Sequence, residues 1–452
     1  MERDLVKLWA CRNERGTGTA IQFGYRLVLA NNLAKRTERR RRRQGVAMSK
    51  MLSGMRVIEG SAFVAAPSGG MHLALLGADV IRFDPIGGSL DYTRWPLAPG
   101  GASLYWASLN KGKRSIQVDL RSGEGRDIVS GLICAPGDQG GMFLTNFPAR
   151  GWLGYESMRE HRDDVIMVTI TGNPDGSTAV DYTVNAAVGY PMATGPSELA
   201  EPVNHVLPAW DVICGQQAAL GLLAADRHRR TTGAGQLVTL ALSDVAMSTV
   251  ANMGHIAEAE ILGEQRARLG NDLYGAFGRD FVTSDGHRFI VVAISIKQWK
   301  GMLEATGTTA QVHALEQELG VDFADEGERF THRDRLFALV EGYAARTPMV
   351  QVAESLNTHG CCWGQYNDFL GMVENDVRCS TDNPMFQRVD QPGVGSVLSA
   401  GSPLRFSADD HVVVPPAPVL GANTDQVLEE LLGLSTSEIA GLHDRKVVAG
   451  PA

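Results

Sequence analysis

The chain has 452 residues, 44% hydrophobic and 21% charged, with 51 glycines, the profile of a globular protein long enough to bury a core without disulfide or metal staples. Its net charge of −9 conceals an asymmetry: residues 1–50 hold 13 Lys/Arg against 4 Asp/Glu, so the remaining 402 residues carry −18. An acidic body is unsuited to non-specific nucleic-acid binding, and no apolar run of about 18–20 residues supplies a membrane span, so neither nucleic acid nor membrane is an expected partner.

The basic head ends in five consecutive arginines, 39–43, and lacks both a Ser-rich leader and an apolar signal core. It reads as a disordered tail, or as an extension ahead of a true start at Met48 or Met51. From about residue 52 the pattern becomes that of a folded chain. Residues 55–59 read as a short buried strand, followed by a loop through Pro67 and an apolar helix over 71–76 closed by Gly77. A second strand over 78–83 ends at Asp84-Pro85 and a Gly87-Gly88 turn, completing a β-α-β unit that predicts a parallel sheet. Further strands are expected at 115–120 and 165–171, with a helix near 125–134. The clearest helix covers 211–229, where Val212, Ile213, Gln216, Ala219, Leu220, Leu223 and Ala224 keep the spacing of one helical face.

Beyond residue 250 the texture changes. Residues 281–292 are two strand runs around Asp285-Gly286, an antiparallel hairpin signal. Helices continue to about 355, a strand-like region covers 393–406, and a helix over 424–432 follows. The expected plan is a basic extension (1–50), a large domain (51–250), a smaller α+β domain (251–355) and a return to the large domain (356–452).

The chain holds no G-x-x-x-x-G-K-[ST], no H-E-x-x-H and no G-x-S-x-G, and the first loop lacks G-x-G-x-x-G. Six cysteines without a C-x-x-C pair fit reduced thiols in a cytoplasmic protein, and no metal site is expected. Gly233-Ala234-Gly235 behind Arg227-His228-Arg229-Arg230 reads as a helix C-cap. On pattern alone, Asp211 is the N-cap of its helix.

Several segments taken in order are similar to the class III CoA transferases: Leu76-Gly77-Ala78-Asp79-Val80-Ile81, Leu109 through Ser115, Thr145-Asn146-Phe147, Asp211 through Gln236, and Leu420 through Thr424. The order holds from about residue 52 to the end. Segments such as Glu59 through Pro67, Asn204 through Asp211 and Leu273 through Phe281 resemble a branch that moves CoA between two carboxyl groups of one substrate. The resemblance implies a Rossmann-like large domain built from both chain ends, a smaller α+β domain and an interlocked homodimer. It implies a CoA-thioester substrate and no cofactor beyond the CoA moiety.

Asp211 stands where the family has its nucleophile, a carboxylate that attacks the thioester to give a mixed anhydride. Backbone N–H groups at a helix N-terminus suit the oxyanions. The same carry-over assigns CoA contacts to Val64 and Ala65, to Leu109, Asn110, Lys111 and Gly112, to Asn146, Phe147 and Pro148, and to Asp181. Arg279, Arg94 and His205 are candidates for pairing with a second substrate carboxylate. Many members have Asn where Gly112 stands, and the family's glycine-run loop is not evident, with Gly275-Ala276-Phe277-Gly278 as its substitute. Val180 replaces the His that racemases of this fold place before the aspartate corresponding to Asp181, which argues against racemisation. An intermolecular transferase and a non-catalytic CoA-binding protein are the competing readings, the latter opposed by the intact Asp211.

Overall fold

A computed structural model describes residues 49–409 and 413–451. The expectation for the basic head therefore falls almost wholly outside the described residues. The chain divides into two units: one holds residues up to Val184, Leu207–Thr249 and Ser380 onward, the other Asn185–Val206 and Val250–Cys379.

In the first unit, strands β1 (Arg56–Gly60), β2 (Asp79–Asp84), β3 (Arg114–Val118), β4 (Met142–Thr145), β5 (Ile166–Thr171) and β6 (Gln236–Ala241) lie in the order 3-2-1-4-5-6, all parallel. Apolar runs such as Met142-Phe143-Leu144 and Ile166-Met167-Val168 are buried, as a parallel sheet covered on both faces requires. This is the doubly wound order, and its reversal beside β1 leaves a crevice at the carboxyl ends of β1 and β4 where such sheets bind ligands.

The first helix, α1 (Ala65–Leu75), starts six residues before the expected 71. Pro67 belongs to its first turn, where no intrahelical N–H is needed. Gly69 and Gly70, which look like loop residues, are required by packing. A Cβ on Gly70 would lie 1.7 Å from Glu59 Oε2, and one on Gly69 would lie 2.9 Å from the Gly215 carbonyl oxygen. Helices α2 (Leu104–Leu109), α3 (Gly123–Ile133), α4 (Tyr155–His161) and α5 (Asp181–Ala187) follow in the chain. Gly215 lies on α6 (Ala209–Thr232), which is longer than the expected 211–229. It ends as anticipated at Gly233, with φ 77° and its N–H donated to the Arg229 carbonyl.

The second unit contains the antiparallel sheet β7 (Phe277–Val282), β8 (Arg288–Ala293) and β9 (Cys362–Gln365), with Asp285-Gly286 in the β7–β8 turn. Phe277, Phe281, Trp299 and Phe337 pack in its core.

The strand-like 393–406 region is in fact the second half of a hairpin, β10 (Phe386–Gln391) and β11 (Gly395–Ala400). The helix Thr424–Leu432 matches its expected span, then a capping-box helix, Thr436–Asp444, leads to β12 (Val448–Ala449), antiparallel on β3. The fold is mixed α/β with a parallel-dominated sheet. Among the described residues no helix is long and apolar enough to cross a membrane.

Candidate active site

Asp211 is the third residue of α6, not its N-cap. The cap position is Pro208, which has no side-chain hydrogen bond to offer. Asp181, at the start of α5, does that work: its Oδ2 accepts from the N–H groups of Trp210 (2.8 Å) and Asp211 (3.1 Å). The Asp211 carboxyl is thus left for other use. Burial, with the Asp181 charge adding to it, pushes its pKa from 3.8 up to about 7. The positive end of α6 acts in the opposite sense, favouring the anion.

Gly215 lies one turn along α6 from Asp211, on the same face. A Cβ there would sit 2.0 Å from Ser68 Oγ and 2.6 Å from the Ala65 carbonyl oxygen, so α6 crosses the first turn of α1 in backbone contact. Asp211 is therefore carried to the start of α1, where Val64 and Ala65 stand, both buried. Val64, the α1 cap residue, and Ala65 and Ala66 behind it have N–H groups with no acceptor among the described residues. Those of α6 are engaged: Trp210 and Asp211 on Asp181, Val212 on the Pro208 carbonyl. The helix N-terminus open to an oxyanion is that of α1.

The loop between β1 and α1 is held from two sides. Asn146, just past β4, accepts from Ala62 N–H (3.0 Å) and donates to the Ala62 carbonyl (2.8 Å), extending the β1–β4 pairing by a side chain. Next in the chain, Phe63 has φ 66°, a region bulky residues avoid, and donates its N–H to Asp91 Oδ2. Asp91 belongs to a buried network in which Arg82 pairs with Asp84 and Asp91, while Lys113 pairs with Glu59 at 2.7 Å. Burial brings the Lys113 ammonium down to about 8 despite that partner.

The remaining candidates separate into interior and cavity groups. Asn110 is 1% exposed and ties Arg82, Lys113 and the Trp106 carbonyl together. Lys111 donates to the Ala400 carbonyl, and Leu109 closes α2. Gly112 has φ 75°, a left-handed conformation that glycine adopts without strain. Asn146, Phe147 and Pro148 line a cavity of about 470 Å³ with Tyr155, Thr169 and Thr239. Arg279 and His205 belong to the other unit, where Arg279 lies over the Phe337 ring. Among the described residues no His/Cys/Asp/Glu group is arranged to hold a metal.

Comparison with known proteins adds independent weight. The profile described as CoA-transferase family III matches residues 52–424. A 2-methylfumaryl-CoA isomerase of Chloroflexus aurantiacus is 53% identical over 405 residues, covering 89% of this chain and 99% of the relative. A formyl-CoA:oxalate CoA-transferase of Rhodopseudomonas palustris is 27% identical, with 89% and 99% covered. Among solved structures, a CAIB/BAIF family protein from Brucella suis superposes with TM-score 0.70 at 25% identity, covering 84% of this chain and 99% of that one. The buried Asp211 carboxyl at the start of α6 thus sits in a chain matched along nearly its whole folded length: the protein is an enzyme of CoA-transferase family III.

Proposed function

We propose that the protein isomerises 2-methylfumaryl-CoA to 3-methylfumaryl-CoA, moving CoA from one carboxyl of a single dicarboxylic acid to the other. The observation that carries this reading is the freed Asp211 carboxyl, in a chain 53% identical to a 2-methylfumaryl-CoA isomerase. An Asp211 oxygen attacks the C1 thioester carbonyl; the C–S bond breaks and CoA leaves as thiolate, giving a mixed anhydride. The thiolate then attacks the Asp211 carbonyl, expelling the C1 carboxylate and forming an aspartyl-CoA thioester. The C4 carboxylate of the retained acid attacks that thioester and again releases thiolate. Thiolate attack on the C4 carbonyl regenerates Asp211 and yields the product. No proton is gained or lost overall, and the reaction calls for no metal or cofactor beyond the CoA moiety.

The N–H groups of Val64 and Ala65 suit the oxyanion of each tetrahedral intermediate, beside Asp211. The cavity lined by Asn146, Phe147 and Pro148 supports a role for them in holding the CoA arm, while Asn110 acts from the interior by fixing Arg82 and Lys113. Asp181 acts through Asp211, by capping its helix. The working unit is proposed to be an interlocked homodimer in the cytoplasm, and exposed Leu220, Ile261 and Leu262 support a covering partner. Incubation with 2-methylfumaryl-CoA alone, followed by chromatographic separation of the thioesters, tests the reading. The isomer is expected from the wild type and absent with Asp211→Ala. A wild type inert until a free acid is added would instead make it an intermolecular transferase.

A further inference from the structure

We infer that Arg94, held over the faces of Phe63 and Tyr105, is the anchor for the carboxylate of the acyl group that is not joined to CoA. This rests on the reaction proposed above, and it assigns the site a ligand class: planar, unsaturated dicarboxylic monothioesters.

The Arg94 guanidinium lies 5.4 Å from the Phe63 ring centroid and 5.2 Å from that of Tyr105. Its backbone is fixed, because its N–H is donated to the Asp91 carbonyl and its own carbonyl accepts from Ser103 Oγ. Ser103 in turn caps α2, which carries Tyr105 as its second residue. The side chain is exposed and has no ion-pair partner among the described residues. The nearby cations differ in this respect. Arg82 is committed to Asp84 and Asp91, Lys113 to Glu59, and Lys111 donates to the Ala400 carbonyl.

Arg94 is tied to the start of α1 through Phe63, whose chain neighbours Val64 and Ala65 stand where α6 brings Asp211. Burial pushes the Tyr105 hydroxyl up to about 12, with Arg94 opposing the shift and the Asp211 charge adding to it. Phe63, on the other side of Arg94, is 39% exposed and keeps a left-handed backbone that Asp91 and Asn146 jointly hold in place. A cation set between two rings, one of them next in the chain to the α1 start, matches a flat conjugated chain ending in carboxylate. The rings take the apolar body, and the guanidinium takes the anion in a forked, charge-assisted pair. A bulky side chain persists at such a φ only where its surroundings over-determine it, and such positions cluster at ligand clamps.

The test measures affinity without turnover, in the full-length protein carrying Asp211→Asn. Calorimetric titration with 2-methylfumaryl-CoA is compared with 2-methylpropenoyl-CoA, which lacks the distal carboxylate. With Arg94 present, the carboxylated thioester is expected to bind roughly ten- to a hundredfold more tightly. Arg94→Gln should erase that preference while leaving 2-methylpropenoyl-CoA binding unchanged, and Arg94→Lys should restore part of it. A preference that survives Arg94→Gln, no preference at the outset, or equal loss for both thioesters overturns the assignment. Isomerisation by the otherwise wild-type chain is assayed in parallel. Its absence sinks the proposed reaction, while the affinity ratio still decides the role of Arg94.

Discussion

In the proposed reaction Asp211 must be an anion to attack the thioester, yet burial and the Asp181 charge hold its proton until about pH 7. The rate at subsaturating substrate should therefore rise about tenfold per pH unit below 7 and level off above it, as a stopped assay across pH 5–9 will show. The same shift bears on stability. A carboxyl whose folded pKa lies above its unfolded value of 3.8 costs nothing below that value. Its destabilisation grows as pH rises from about 4 to 7 and is complete above. Asp211→Asn should thus abolish turnover yet melt higher than wild type, the advantage widening from pH 4 to 7 and constant beyond. Replacing Asp181 separates charge from capping. Asp181→Asn keeps an acceptor for the Trp210 and Asp211 N–H groups but removes the neighbouring charge, so the midpoint of the pH–rate curve should move down. Asp181→Ala should also cost about 1–2 kcal/mol of stability in denaturant unfolding.

At the scale of elements, the glycine contact between α1 and α6 sets where Asp211 stands. Gly215→Ala forces a methyl into Ser68 and the Ala65 carbonyl, so the helices must part. A loss of about 1–3 kcal/mol in denaturant unfolding is expected, with kcat falling more than KM rises. This contact also explains what the sequence concealed. Strands β1, β2 and β5 were legible to within a residue or two, because buried parallel strands are continuous apolar runs. The first turns of α1 were not, since Pro67, Gly69 and Gly70 carry loop chemistry and are selected by first-turn geometry and packing. The cap of α6 was hidden for another reason: Pro208 cannot provide it, and Asp181 supplies it from 29 residues before Trp210. Asp211 became a candidate nucleophile only through family resemblance, because a carboxylate ahead of an amphipathic helix ordinarily caps it. The left-handed backbone of Phe63 has no sequence signal at all, being imposed by Asp91 and Asn146 from other loops.

At the scale of the molecule, the last residues finish a sheet begun by the first strands. β12 covers the β3 edge, Gln117 donates to the Gly450 carbonyl at 2.6 Å, and Thr424 to that of Ala449 at 2.7 Å. Deleting residues 446–452 exposes that edge and unburies Val447 and Val448, a loss of about 3–6 kcal/mol. Light scattering during thermal unfolding should show an earlier melt and aggregation at lower temperature.

The pairing of Asp181 with the start of α6 has one more consequence. Between these two points the chain leaves the first unit, since residues 185–206 belong to the second, and it returns just ahead of α6. The two hydrogen bonds on Asp181 are thus a clasp across the neck of that excursion. They join its departing end to its returning end, so the position of Asp211 is held independently of the peptide chain between. Residues 185–206 can lengthen or shorten over evolution while the Asp211 carboxyl stays where it is.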